Sequence, residues 1–416
     1  MICNACVYMS SLYEFISKNG SEEKCSFCEE VGICVSDKKL FKHIEKRLSE
    51  ILTSTDDLSG YEHAMIYECG SDEPPIYSIW GFLGDGSDVA DEAVIEKLLE
   101  YLPDEYNKTI HGDDAHFVID DGTLEHNDFS EKWNEFVESI HHDRRFFNNK
   151  AELFLDSLFE TIIGNSTLDN NAISEISAET PLFRARIAHG RNDIKIITAE
   201  PHSQLGLVPK SMASSQRMTP AGISSLYCSL DRNTCLCELR SIVGDIVISG
   251  AFKAITGLKL IDLSLLADAC KASLDKLDYF HEGFRSMAHA FEFLKDITFK
   301  LSKPLGRQDE LGYLSTQVFF EYLRVKYSDS VDGVIFKSVQ NNGNGENIAL
   351  FPESSSVSEK NKLLLPDTDA SLHFCEGSLV YHRIKAVAVT SKDFDSSFPF
   401  EVDGLMKRRL FGSEDV

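Results

Sequence analysis

Four cysteines near the start of the chain limit what it can fold into more than any other feature. They are Cys3, Cys6, Cys25 and Cys28, spaced C-x2-C-x18-C-x2-C. Each C-x2-C turn presents two thiolates to one ion, and two such turns close a tetrahedron. Asn4 sits inside the first turn, and Gly20 and Ser21 precede the second. Four thiolates leave no open position for water, so the spacing predicts a structural zinc module over residues 1–36. The competing reading is four reduced, buried cysteines. Cys34 is left over as a packed or reactive thiol. The remaining six cysteines (Cys69, Cys228, Cys235, Cys237, Cys270, Cys375) are scattered, and the total of 11 is odd. A disulfide framework is therefore the weaker reading. The first residues, MICNACVYMSS, lack a basic leader and a continuous apolar run. The expected compartment is the cytoplasm.

Charge excludes further classes. There are 67 acidic against 41 basic residues, formally −26. Such a surface repels phosphate backbones at long range, so general nucleic-acid binding is not expected. A local basic pocket for a small anion remains compatible with it. No window approaches 18 consecutive apolar residues, so no membrane span is expected. A length of 416 residues leaves room for two or three domains.

The pattern changes along the chain. In SDKKLFKHIEKRLSEILTS, Leu40, Phe41, Ile44, Leu48, Ile51 and Leu52 form one helical stripe. DVADEAVIEKLLEYLP reads as a second helix, stopped by Pro103. Between them PPIYSIWGFLG reads as loop or short strand, with Gly81, Gly84 and Gly86 in a turn. Residues 113–131 hold seven acids and no Lys or Arg, which reads as an exposed acidic loop. Phe154, Leu155, Leu158, Phe159 and Ile162 fit one helix face, with Gly164 as its stop. The polar stretch GNSTLDNNAISEISAET then marks a boundary. The expected domains are the zinc motif at 1–36, a mostly helical domain plus linker at 37–175, and a third at 176–416. In that third part PLFRARI, SSLYCSL, DIVISGAFKAI, LKLIDL, DGVIFKS, NIALF and LVYHRIKAVAV read as strands. Helices are expected at 234–243, 284–302 and 315–327. Strands and helices do not alternate strictly, so the fold class is α+β rather than a doubly wound parallel sheet.

Several familiar chemistries are missing. The chain has no G-x-x-x-x-G-K-[ST] loop, no H-E-x-x-H and no G-x-S-x-G. His281 and His289, eight apart, do not make a metal pair. The informative stretch is SSQRMTPAGISSLYCSLDRNTCLCELRS. It carries Arg217 on a turn, Tyr227 on a strand and Glu238 on a short helix that Asp231 or Thr234 can cap. Read plainly, these are a surface ion-pair residue, a core ring and an exposed helical acid. Glu238 argues against that, because a carboxylate among apolar neighbours is costly unless paired or used. Ser338 follows at a strand end beside a glycine-rich turn.

FRAR at 183–186, QRMTPAGISSLYCSLDRNTCLCELR at 216–240, Gln317 in YLSTQVFFEYL, and DGVIFKS with GENIALF resemble the RES domain, in that order. The zinc motif and helical region resemble, more loosely, the HEPN-like extension that precedes some RES domains. The resemblance implies a fold like ADP-ribosyltransferase toxins and activity on NAD, with water, phosphate or a macromolecule as acceptor. By position it makes Arg217, Glu238 and Ser338 catalytic, and it gives NAD binding to Arg184, Arg217, Tyr227 and Ser338. It further implies a toxin of a toxin–antitoxin pair, with an antitoxin or another inhibitory partner. Gln216 and Thr219 depart from the family pattern, which often has glycine and asparagine there. The rivals are an ADP-ribosyltransferase, a non-catalytic interaction protein, and an RNase in the helical region. HEPN RNases place a His four to six residues after an Arg, and Arg47, Arg144 and Arg145 have none there.

Overall fold

A computed structural model describes residues 1–68, 74–86, 88–163, 172–302, 311–338, 340, 344–358 and 371–386. Packing divides the chain into two units. The first is Met1–Lys132 with Cys270–Phe293, and the second is Trp133–Ala269 with Leu294–Val416. The segment expected as one helical domain, 37–175, is thus shared between both units. The expected helix stop at Gly164 and the scattered Cys69 lie outside the described residues.

In the first unit β1 (Ile2–Cys3), β2 (Ser21–Lys24) and β3 (Val31–Val35) form an antiparallel sheet in the order β1-β3-β2. Helix Ser10–Asn19 links β1 to β2 and buries Leu12 and Ile16. Gly20 ends it where nothing larger fits. A Cβ there would lie 2.6 Å from the Cys34 carbonyl oxygen and 2.7 Å from that of Ile16. Helix Asp37–Ile51 buries Leu40, Phe41, Ile44, Leu48 and Ile51, the stripe read from the sequence. Its first carboxylate, Asp37, pairs with the Met1 amine at 2.6 Å and with Lys97. Helix Glu92–Tyr101 buries Val94, Ile95 and Leu98 and stops ahead of Pro103.

Two readings need correction in this unit. Gly81–Gly86 is a π-helical turn that buries Phe82 and Leu83, not a loop or strand. Ile79, Phe82 and Leu83 stand at helical spacing, and that apolar face outweighs three glycines. Nor is 113–131 an exposed acidic loop. Phe117–Ile119 is β5, paired with β4 (Leu52–Ser54), and Asp128 opens helix Asp128–Glu138. Asp120 is buried and accepts from Arg285 Nε at 2.7 Å and His289 Nε2 at 2.8 Å. Arg285 also grips Asp128 with both Nη atoms, at 2.6 and 3.2 Å. His289 is fully buried, and its Nδ1 accepts the Asp128 N–H at 3.1 Å. Burial pushes the Asp120 carboxyl up, but the His289 hydrogen bond and the Arg285 cation outweigh it and hold the group below the usual carboxylate range. Arg285 and His289, four residues apart on one helix, are thus both committed to carboxylates.

The second unit is built on a nine-stranded sheet. Its strands are β6 (Ile173–Ile176), β7 (Leu182–Ala188), β8 (Tyr227–Ser229), β9 (Ile246–Ala254), β10 (Leu258–Asp262), β11 (Gly333–Lys337), β12 (Glu346–Leu350), β13 (Leu372–Phe374) and β14 (Val380–Arg383). The order is β13-β9-β7-β8-β12-β11-β10-β6, with β14 also on β9. β10 and β11 run parallel, and the other pairs are antiparallel. All seven strands read from the sequence form, although β14 ends at Arg383 and residues 387–389 of that stretch lie outside the described ones. β6 was hidden in the polar stretch read as a boundary. It is an edge strand, where polar residues are tolerated because one side needs no partner. Leu226, Ile248, Phe252, Leu260, Ile335 and Ile348 build the core on one face. Phe159 of helix Asn149–Ile163 packs 5.9 Å from Phe319 of helix Leu314–Tyr327. The chain is therefore α+β, with a four-cysteine cluster at its N-terminus. No described helix is long and apolar enough to cross a membrane.

Candidate active site

β7 meets β8 at one register pair, Phe183 opposite Ser229, whereas it pairs with β9 over its whole length. A cleft of about 330 Å³ is lined from β7 and β8, from the arginine turn ahead of β8 and from segments that follow it. Its walls include Arg184, Arg217, Tyr227, Glu238, Arg240 and Asn347. Four of the five residues singled out in the sequence are therefore gathered in one cavity.

Glu238 is the last residue of helix Arg232–Glu238, whose start is capped by Asp231 accepting the Thr234 N–H at 2.8 Å. The helix is shorter than the 234–243 expected, because Arg240 adopts φ +46° and turns the chain away. Glu238 Oε1 accepts two hydrogen bonds, from Ser338 Oγ at 2.6 Å and from Asn347 Nδ2 at 2.7 Å. Asn347 is held in turn by Ser229 Oγ, which donates to its Oδ1 at 2.7 Å. Among the described residues Oε2 takes no hydrogen bond. Gly345 brings β12 against this helix. It has φ +87°, and a Cβ there would lie 2.0 Å from Thr234 Oγ1.

The arginine turn is fastened from behind. Gln317 Nε2 donates to Gln216 O at 2.8 Å and to Ser215 Oγ at 3.0 Å. The Gln216 N–H closes on Thr219 O at 2.8 Å, so the turn forms despite both departures from the family pattern. Gln216 Oε1 is buried without a partner. The Tyr227 hydroxyl accepts the Met218 N–H at 2.6 Å, which ties the turn to β8. Arg217 lies with its guanidinium carbon 5.9 Å from the Tyr313 ring centre.

Burial decides the electrostatics. It pushes the Tyr227 phenol up, keeping it neutral. It pushes the Arg184 guanidinium down, and Arg184 Nη1 donates to Gly206 O at 2.6 Å. Burial also pushes the Cys228 and Cys235 thiols up to about 12, so these two cysteines of the cleft are not thiolate nucleophiles. What remains for chemistry is one held carboxylate beside arginines and a tyrosine ring.

Ser338 stands apart from the other four. It is fully buried, it does not line the cleft, and its hydroxyl is given to Glu238. Its link to the cleft is the hydrogen bond to that carboxylate. Asn347, Ser229, Tyr313 and Arg240 were not singled out in the sequence. Asn347 carried the signal that exposed Glu238, a polar side chain in an otherwise apolar run.

The second cluster is at the N-terminus. Cys3 ends β1, Cys6 closes the 3-10 turn Asn4–Cys6, and Cys25 and Cys28 sit in the β2–β3 connection. Glu29, at φ +63°, completes that connection. Sulfur separations are 3.6 Å for Cys3–Cys6, 3.5 Å for Cys3–Cys28 and 3.8 Å for Cys6–Cys25. A tetrahedral zinc with Zn–S near 2.3 Å puts its sulfurs roughly 3.8 Å apart, so the four fit that ion. Burial pushes the Cys25 thiol up, but backbone N–H groups of Cys28, Phe27 and Cys3 outweigh this and bring it down to about 6. Cys34 lies outside the cluster, donating to Glu23 O at 3.3 Å.

A family model for the RES domain matches residues 181–373. The chain carries a RES domain. A second, HEPN/RES N-terminal domain 1, matches residues 18–153. No curated protein and no solved structure matches the chain. The RES match contains the whole cleft, from Phe183 to Asn347. The N-terminal match takes in Cys25 and Cys28 but starts after Cys3 and Cys6.

Proposed function

We propose that the RES domain binds NAD in this cleft and cleaves its nicotinamide–ribose bond, passing the ADP-ribosyl group to water or phosphate. The observation that carries this reading is Glu238, whose Oε1 is fixed by Ser338 and Asn347 at the wall of a cleft that also holds arginines. Nicotinamide departs with the bonding electron pair, which neutralises its ring nitrogen. The ribosyl group left behind has oxocarbenium character, as in glycoside hydrolysis. A held carboxylate stabilises that developing positive charge and hydrogen-bonds a ribose hydroxyl. Water or phosphate oxygen then bonds to the anomeric carbon, and a proton from attacking water passes to Glu238 or to solvent. Arg184 and Arg217 give the cleft the positive wall a diphosphate needs. Tyr227 offers its ring face to the nicotinamide.

Zinc, held by Cys3, Cys6, Cys25 and Cys28, would close the small N-terminal sheet and supply folding energy rather than chemistry. An NAD-consuming activity endangers the cell that makes it, so an antitoxin-like partner is part of the proposal. The test is nicotinamide release from NAD by the purified chain beside Glu238→Gln. Equal release by both would remove Glu238, and with it the mechanism.

A further inference from the structure

We propose that the surface over residues 142–160 is a two-fold interface with a second copy of this chain, anchored by Phe146 and Phe147. None of these residues lines the cleft, so the interface stands apart from the NAD reading. Phe146 is 88% exposed and Phe147 90%. Their loop is fastened from behind, which keeps both rings out of the chain's own core. The Arg144 N–H donates to Ser139 O at 2.9 Å. Asn148 Nδ2 donates to Ser139 Oγ and to Arg144 O, both at 2.9 Å. Asn148 Oδ1 accepts the Ala151 N–H at 3.1 Å and so caps helix Asn149–Ile163. Leu153, 67% exposed, continues the apolar surface along that helix, and Val325, 73% exposed, stands on helix Leu314–Tyr327. Lys326 joins the two helices by pairing with Glu152 at 3.3 Å and Asp156 at 3.1 Å. The two rings alone offer about 300–500 Å² of apolar area. That is roughly half of the ~800 Å² each side of a standard interface buries.

Charge says what covers this surface. Exposed Arg144, Arg145 and Lys150 lie at its start, against one acid, Asp143, and Glu152, Asp156 and Glu160 follow. Among the described residues no ion pair forms to Arg144, Arg145, Lys150 or Glu160. Lys150, Leu153, Ser157 and Glu160 succeed one another at i+3 and i+4 spacing, which makes one stripe along the helix. A two-fold axis across the middle of that stripe sets two such helices antiparallel. Lys150 of each copy then meets the partner's Glu160, as a self-complementary contact requires. Nucleic acid and anionic lipid fit less well, because the acidic half of the surface and the formal −26 both repel them. The same −26 opposes two copies at long range. Within a Debye length, about 8 Å at 0.15 M salt, the local pattern decides.

The experiment is sedimentation equilibrium of the full chain, beside the double variant Phe146→Ser/Phe147→Ser and the charge variants Lys150→Glu, Glu160→Lys and both together. All these side chains are exposed, and a parental melting temperature at low concentration confirms each fold. The parent is expected to dimerise, and the serine pair to weaken the dimer by more than about a hundredfold. Each single charge reversal should weaken it by roughly tenfold, and the double reversal should restore it, because opposite charges again face each other. A parent chain that stays monomeric at the highest concentration reached would overturn the proposal. So would a dimer indifferent to the serine pair, or charge reversals whose effects add instead of cancelling. A monomer that binds single-stranded RNA or anionic vesicles through the two phenylalanines would also overturn it and assign the surface to that ligand.

Discussion

Replacing Asn347 by alanine tests the geometry of the cleft more sharply than removing Glu238. Asn347 is buried and donates to Glu238 Oε1 at 2.7 Å, while Ser229 fixes its own amide. A hydrogen bond to a charged group contributes about 1.5–3 kcal/mol. At about 1.4 kcal/mol per tenfold in rate, complete loss of that support costs roughly ten- to 150-fold in kcat. Ser338 still holds the same oxygen at 2.6 Å, which places the single variant near the lower end. The double variant with Ser338→Ala should approach Glu238→Gln. The assay is steady-state nicotinamide release, with KM for NAD and the melting temperature recorded together. The expected result is a fall in kcat with KM nearly constant, because Asn347 orients the carboxylate rather than the dinucleotide. Asn347→Asp adds a pH signature. The introduced carboxyl, when protonated, donates to Glu238 as the amide did, and when ionised it repels it. The activity of this variant should therefore survive at acidic pH and fall as pH rises. Parental kcat in Asn347→Ala, or a parental pH profile in Asn347→Asp, would refute the positioning argument.

Other consequences follow from the same structure. The chain should carry one zinc, and Cys6→Ser should lose it and lower the melting temperature of the first unit. Metal analysis with a chelator-treated melt checks this, and identical melts with and without chelator would contradict it. Asp120 and Asp128 are both held below the usual carboxylate range, because hydrogen bonds and charge from His289 and Arg285 outweigh burial. Their stabilisation is fully present above the unfolded value of about 4 and is lost as pH falls through the lower folded values. Asp120→Asn should lower stability by about 3 kcal/mol at neutral pH by leaving Arg285 partly unpaired, and should flatten the acid dependence, as read by denaturant titration at several pH values. Gly345→Ala meets both a left-handed backbone and Thr234 Oγ1 at 2.0 Å. It should destabilise the second unit by more than the ~1 kcal/mol of an ordinary glycine replacement, and a parental melting curve would contradict the packing.

Much of this arrangement was legible because short-range rules dominate where it lies. The helical stripe from Leu40 to Ile51 and the seven apolar strands each announce themselves within one element, and the four cysteines do so through the spacing of two C-x2-C turns. The gathering of Arg184, Arg217, Tyr227 and Glu238 was legible only through the RES resemblance, because nothing local says that a turn, two strands and a helix end will converge. What was misread depends on distant partners. Asp120 and Asp128 looked like a solvated loop because Arg285 and His289, which neutralise and bury them, lie more than 150 residues away. Ser338 was not read as a partner of Glu238, because no local pattern pairs a strand end with a helix end. Its full burial against Glu238 is set by the register of β11 on β12. β6 was missed because an edge strand needs little apolar character.

The most direct test of the central claim is nicotinamide release from NAD by the purified full chain, with and without phosphate, beside Glu238→Gln. The account predicts release that depends on Glu238, and a phosphate requirement would identify phosphate rather than water as acceptor. Release that is indifferent to Glu238, or a parent chain that binds NAD and leaves it intact under both conditions, would contradict it.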